Sequence, residues 1–122
     1  MTTRASWSAE VVDVGLFGAM PRYGDMAMHA VLDLSRTFPE GDVARAFERT
    51  LRDFPVLGCR YRPGVLRDRW VRSDDGRAVV QETVPADRLE TRTMRWVEQP
   101  LDPTREPVCR LLAPRTDKGM RL

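Results

Sequence analysis

One imidazole, two thiols and a large surplus of guanidinium groups are the side chains here with chemistry to offer. His29 is the sole histidine, and no GxSxG elbow accompanies it, so no Ser, His and Asp arrangement is marked out in the sequence. Taken by itself His29 reads as a packed or surface residue. Cys59 and Cys109 each lie in an apolar strand-like pattern, far apart and without the paired spacing of a zinc or redox site. Both read as buried thiols. Gly15 and Gly18 are too few and wrongly spaced to cradle a phosphate. The carboxylate pair Asp74-Asp75 reads as a solvated hairpin tip. No catalytic residue and no metal ligand is assigned.

Nineteen of the twenty basic residues are Arg, with Lys118 the exception. Planar forks suit phosphate recognition. These arginines are scattered along the sequence, however, and eighteen acidic residues reduce the net charge to +2. No nucleic-acid partner is expected from such a balance. At 122 residues, 42% of them hydrophobic and 31% charged, the chain has the composition of one soluble domain or part of one. No apolar run approaches the ~20 residues of a membrane span. The N-terminus lacks the basic start and apolar core of a secretory leader, so a cytoplasmic protein is expected.

The elements that would carry these groups are organised around GDVARAFERTLRDFPVLGCRY, residues 41–61. Val43, Phe47, Leu51 and Phe54 recur at helical spacing and predict an amphipathic helix over 42–54, opened by Asp42 and closed by Pro55. Leu57, Cys59 and Tyr61 then alternate as a strand. Before it, residues 1–25 read as a loop-rich lead, because Gly15, Gly18, Pro21 and Gly24 interrupt any regular element. Within that lead, Trp7, Leu16, Phe17 and Tyr23 are expected to pin the loop to the body.

Met26 to Leu34 alternates cleanly and predicts a strand. After the central unit, a strand at 67–72, a tight hairpin at SDDG (73–76) and a strand at 78–84 follow. Residues 86–97 admit a helix through Leu89, Trp96 and Val97 or a strand through Thr91 and Thr93. Pro100, Pro103 and Pro107 mark a turning connection. Val108 to Ala113 reads as a strand, PRTDKG as a turn, and Met120 to Leu122 as the opening of one more strand. The fold class is α/β, an α+β two-layer sandwich of mostly antiparallel or mixed sheet with one principal helix.

Three stretches resemble the N-terminal part of the condensation-domain and CoA-dependent acyltransferase superfamily, which includes chloramphenicol acetyltransferase and the condensation domains of nonribosomal peptide synthetases. They are MAMHAVLDLS with DVARAFERTLRDFPVLGCRY, the returning RDRWV, and PLDPTREPVCRLL, which is similar to the family's PFDLSRGPLLRVRLL. Phe54 replaces the family's usual His before the proline, and Gly58 its Arg after the leucine.

The resemblance implies a parent enzyme that transfers an acyl group from CoA or a carrier-protein thioester to an alcohol or amine. It also implies a catalytic HHxxxDG motif beyond the strand opening at Met120, so that 1–122 is a single or partial domain with no bound cofactor. His29, with no neighbouring His and no Asp-Gly three residues on, does not match that motif. A half-lobe would expose sheet edges, where a second copy or a complementary chain pairs. A non-catalytic interaction or regulatory module is an alternative. Another is a binder of small hydrophobic ligands, using the loop around Phe17 and Tyr23.

Overall fold

The computed structural model describes residues 6–23, 27–73 and 78–122. Along the chain these form β1 (Ser6–Ser8), α1 (Val11–Tyr23), β2 (Asp33–Leu34), α2 (Glu40–Asp53), β3 (Cys59–Arg62), β4 (Arg69–Arg72), β5 (Val79–Thr83), α3 (Leu89–Glu98), β6 (Leu111–Thr116) and β7 (Gly119–Arg121). Two sheets result, an antiparallel one in the order β1-β4-β3 and a mixed one in the order β2-β7-β6-β5. The architecture is α+β.

The central helix forms because its apolar stripe finds a surface to cover. Val43 and Phe47 are buried, and Val43 packs with Ala113 and Met120 of the mixed sheet. Burying each such side chain is worth about 1.5–3 kcal/mol. The helix starts at Glu40, with Pro39 as its cap, rather than at Asp42, whose carboxylate pairs with Arg45. Phe54, assigned by spacing to the buried face, is 61% exposed. The last helical amide bond runs from Phe54 N to Thr50 O, and Pro55 opens a 3-10 turn over Pro55–Gly58, which turns the Phe54 ring off the helical stripe. The strand after it therefore begins at Cys59.

The two faces of the mixed sheet can be told apart by alternation. Leu111 and Ala113 face α2, as does Gln81, whose amide donates to the Glu40 carbonyl at 3.0 Å. Glu82, one residue on, pairs with Arg92 of α3. Helices thus cover both faces, and this part of the molecule has three layers rather than two.

β5 and β6 run parallel. Parallel neighbours require a crossover, and α3 supplies it, which resolves residues 86–97 as helical. The SDDG segment does not link a hairpin: β4 and β5 belong to different sheets, and residues 74–76 lie outside the described part. The strand expected at 108–113 is displaced to Leu111–Thr116 and runs through Pro114. The ladder between β6 and β7 covers only Arg115 and Thr116, consistent with the missing amide hydrogen of Pro114. At the turn, Gly119 has φ 150°, and a Cβ there would lie 2.1 Å from the Leu34 carbonyl oxygen, so no other residue fits.

The expected strand at 26–34 is reduced to the Asp33–Leu34 pairing, extended by reciprocal backbone bonds between Leu32 and Leu122 at 2.8 and 2.9 Å. Met26 lies outside the described residues. Residues 27–33 are exposed, so their alternation has no second layer to fix it into a longer strand.

The lead differs most from expectation, because residues 11–23 are helical despite Gly15 and Gly18. The Asp13 carboxylate accepts the Glu10 amide at 3.0 Å, which caps the first turn, and the Trp70 indole N–H at 3.1 Å, which ties it to β4. Phe17 stacks on Tyr61 at 4.5 Å and meets Trp70 edge-on at 5.3 Å. Aromatic packing outweighs the poor helix propensity, about 1 kcal/mol per glycine. Phe17 thus pins the segment, whereas Trp7 and Leu16 are exposed; the Tyr23 side chain lies outside the described part. Phe17→Ala is expected to lower stability by about 2 kcal/mol in urea unfolding. The cost is below that of a fully buried ring because Phe17 is half-buried, and an unchanged midpoint would refute this anchoring.

Candidate functional site

An apolar groove of about 690 Å³ opens between α2 and the sheet it covers. One wall is α2, through Val43, Ala46 and Phe47, and the other is the extended segment carrying Met28, Ala30 and Leu32. Leu111 and Met120 lie at its base. Small-molecule sites commonly span roughly 300–1,000 Å³ with mainly apolar walls. This groove has the size and chemistry for an acyl chain or another hydrophobic ligand. Cys109 and Arg110 lie at its margin.

On the α3 face a smaller pocket of about 100 Å³ is lined by His29, Trp96, Arg110 and Arg121 among others. His29 is exposed, and among the described residues lining this pocket none carries a carboxylate side chain. Among the described residues, a general base oriented by an acid is therefore not assembled around it. Arg110 stacks on Trp96, its guanidinium carbon 4.7 Å from the ring centroid, and donates to the Trp96 carbonyl at 3.1 Å and to the Gln99 carbonyl. It serves as a cap on the C-terminal end of α3, where a cation is favourable.

Arg121 is the other organising cation. Its Nε and Nη2 grip both oxygens of Asp33 at 2.7 and 3.1 Å, while Nη1 reaches Glu90 at 2.8 Å and the Thr93 hydroxyl at 3.1 Å. One guanidinium thus joins β2, β7 and α3. A bidentate fork of this kind is stronger than a single contact. The hydrogen bond from Arg121 holds the Asp33 carboxyl below its ordinary value, and the bonds to Asp33 and Glu90 raise Arg121.

In the antiparallel sheet, Tyr61 donates to Asp68, which also accepts the Gly64 amide at 2.9 Å. Burial first, then the bond to Asp68, pushes the Tyr61 phenol up to about 12. The two thiols are free: Cys59 is wholly buried and donates to the Pro55 carbonyl at 3.3 Å, and Cys109 is half-buried. Burial raises both, which suppresses the nucleophilic thiolate. Among the described residues no group of three His, Cys, Asp or Glu is placed to hold a metal ion, and no helix is long and apolar enough to cross a membrane.

The groove was only half visible in the sequence. The alternation of 26–34 and the stripe of α2 mark its walls, but nothing local shows that they face each other. Arg121 carried no signal, since its partners lie 88 and 31 residues away. No model of a known protein family matches this chain, and no curated protein sequence matches it.

The depressed Asp33 carboxyl has a definite pH consequence. Its stabilisation is complete above the unfolded value, near 3.8, and is lost as pH falls through the lower folded value. Asp33→Asn is therefore expected to melt below the parent at neutral pH, with the gap closing in acid below that range. A gap independent of pH would contradict the ion pair.

Proposed function

We propose that this chain is the N-terminal portion of an acyltransferase of the condensation-domain and CoA-dependent superfamily, moving an acyl group from a CoA or carrier-protein thioester to an alcohol or amine. The observation that carries the reading is α2 lying across the mixed sheet beside a groove of acyl-chain dimensions. The order of elements supports it: a short strand, the amphipathic helix, a proline corner, a returning pair of strands, and a proline-marked connection into β6.

The reaction needs an imidazole to take the proton from the acceptor as it attacks the thioester carbonyl. Among the described residues lining its pocket His29 has no acidic side chain to orient it, and HHxxxDG is not in the sequence. Proton abstraction is accordingly assigned to a histidine on other polypeptide. The isolated chain should give no turnover with a panel of acyl-CoA donors and alcohol or amine acceptors. Turnover abolished by His29→Ala would overturn the proposal.

The groove also favours a second reading, a binder of small hydrophobic ligands, with this larger groove rather than the surroundings of Phe17 on α1 as the site. Phe17 packs against Tyr61 and Trp70 and lines a smaller concavity of about 410 Å³ with Met20 and Pro63. Fluorescent fatty-acid binding that Ala46→Trp blocks, with no turnover after adding the complementary catalytic polypeptide, would favour this reading over acyl transfer.

The outer strands of the mixed sheet, β2 and β5, suggest pairing with a second copy or a complementary chain, since unpaired edges recruit strands. β3 is partly covered already, by backbone bonds to Pro103 and Val108 at 2.6 and 3.0 Å. Light scattering over a range of concentrations should show mass rising above 14.0 kDa. A constant monomer mass would remove the edge-pairing proposal.

A further inference from the structure

The hairpin β3–β4 concentrates charge that the whole-chain balance hides. Its strands pair Arg62 with Arg69 and Arg60 with Val71, so alternation puts Arg60, Arg62 and Arg69 on one face and Tyr61 and Trp70 on the other. Arg67 joins the three around an open concavity of about 480 Å³. Like charges directly opposite on adjacent strands repel. Among the described residues none of these four arginines pairs with a carboxylate; Arg67 donates to the Ser8 hydroxyl at 3.2 Å.

A second observation belongs to the same hairpin. At its tip Val65 and Leu66 are 102% and 99% exposed, with Arg62 and Arg67 flanking them in sequence. The tip is held in shape: Asp68 bonds both the Gly64 amide and the Tyr61 hydroxyl. A Cβ on Gly64 would lie 2.3 Å from the Arg67 carbonyl oxygen. Two aliphatic side chains are therefore presented on a braced turn beside four cations.

We infer that this hairpin docks the protein peripherally on an anionic lipid surface, Val65 and Leu66 entering among the headgroups while Arg60, Arg62, Arg67 and Arg69 meet lipid phosphates. Charge complementarity and the apolar tip select this partner together, because cationic residues gather at anionic leaflets and apolar side chains insert at the interface. A soluble phosphate would use the arginines and leave the tip idle. Single-stranded nucleic acid calls for stacking rings among the cations, and here Tyr61 and Trp70 lie on the opposite face. The inference does not depend on the acyl-transfer reading.

The test is co-flotation of the full chain with vesicles of phosphatidylcholine alone and of phosphatidylcholine mixed with phosphatidylglycerol. The protein should float with the anionic vesicles only, and added salt should release it. Arg62→Gln with Arg69→Gln should weaken binding about thirtyfold, and Val65→Ser with Leu66→Ser about tenfold. All four positions are exposed, and circular dichroism would verify that the variants fold. Failure to float with either vesicle overturns the inference. So does binding that needs the arginines, ignores the Val65 and Leu66 changes and is matched by soluble polyglutamate, which would assign the face to an acidic protein.

Discussion

The pairing of β2 with β7 is the constraint on which the rest of this molecule depends. Two strand residues, Asp33 and Leu34, meet Arg121 and Met120, and the register assigns one pair to each face of the sheet. Leu34 and Met120 turn toward α2 and help to seat Val43. Asp33 and Arg121 turn toward α3 and join Glu90 and Thr93. A slip of one residue would exchange the faces, placing a guanidinium under α2 and a methionine among carboxylates. Few backbone bonds hold this edge, so the side chains on either side of it carry much of its specificity.

Much of the fold was legible where a local pattern and a long-range partner agree. The stripe of Val43 and Phe47 with Pro55 behind it defines α2 to within two residues at its start, and the alternation of Cys59 and Tyr61 defines β3. Legibility failed where a contact distant in sequence overrules propensity. Residues 11–23 read as a loop because glycines penalise a helix, but Phe17 finds Tyr61 and Trp70, and Asp13 finds the Trp70 indole. Residues 86–97 were undecidable by period, since the deciding fact is the parallel course of β5 and β6, which no local window contains. Pro114 misled in the opposite sense: proline argues against a strand, yet here it marks where one ladder of that strand stops.

The candidate site shows the same division. Each wall of the groove was visible as a hydrophobic period, while their opposition across β7 was not. The arginines give a sharper case. Scattered in sequence and nearly balanced by acids, they suggested no field for an anion. Strand alternation and the six-residue connection between β3 and β4 then gather four of them on one hairpin. Net charge describes a chain, whereas a partner meets only the surface presented to it.

The link between Asp33 and Arg121 spans 88 residues, and this separation bears on how the chain reaches its native state. Closing so large a loop is an entropic barrier that nearby contacts do not share, and structures rich in distant pairings form slowly. The β3–β4 hairpin and the ring of Phe17 upon it involve shorter separations and can assemble early. The mixed sheet closes only once β7 has paired, and until then the surface that seats Val43 of α2 is incomplete.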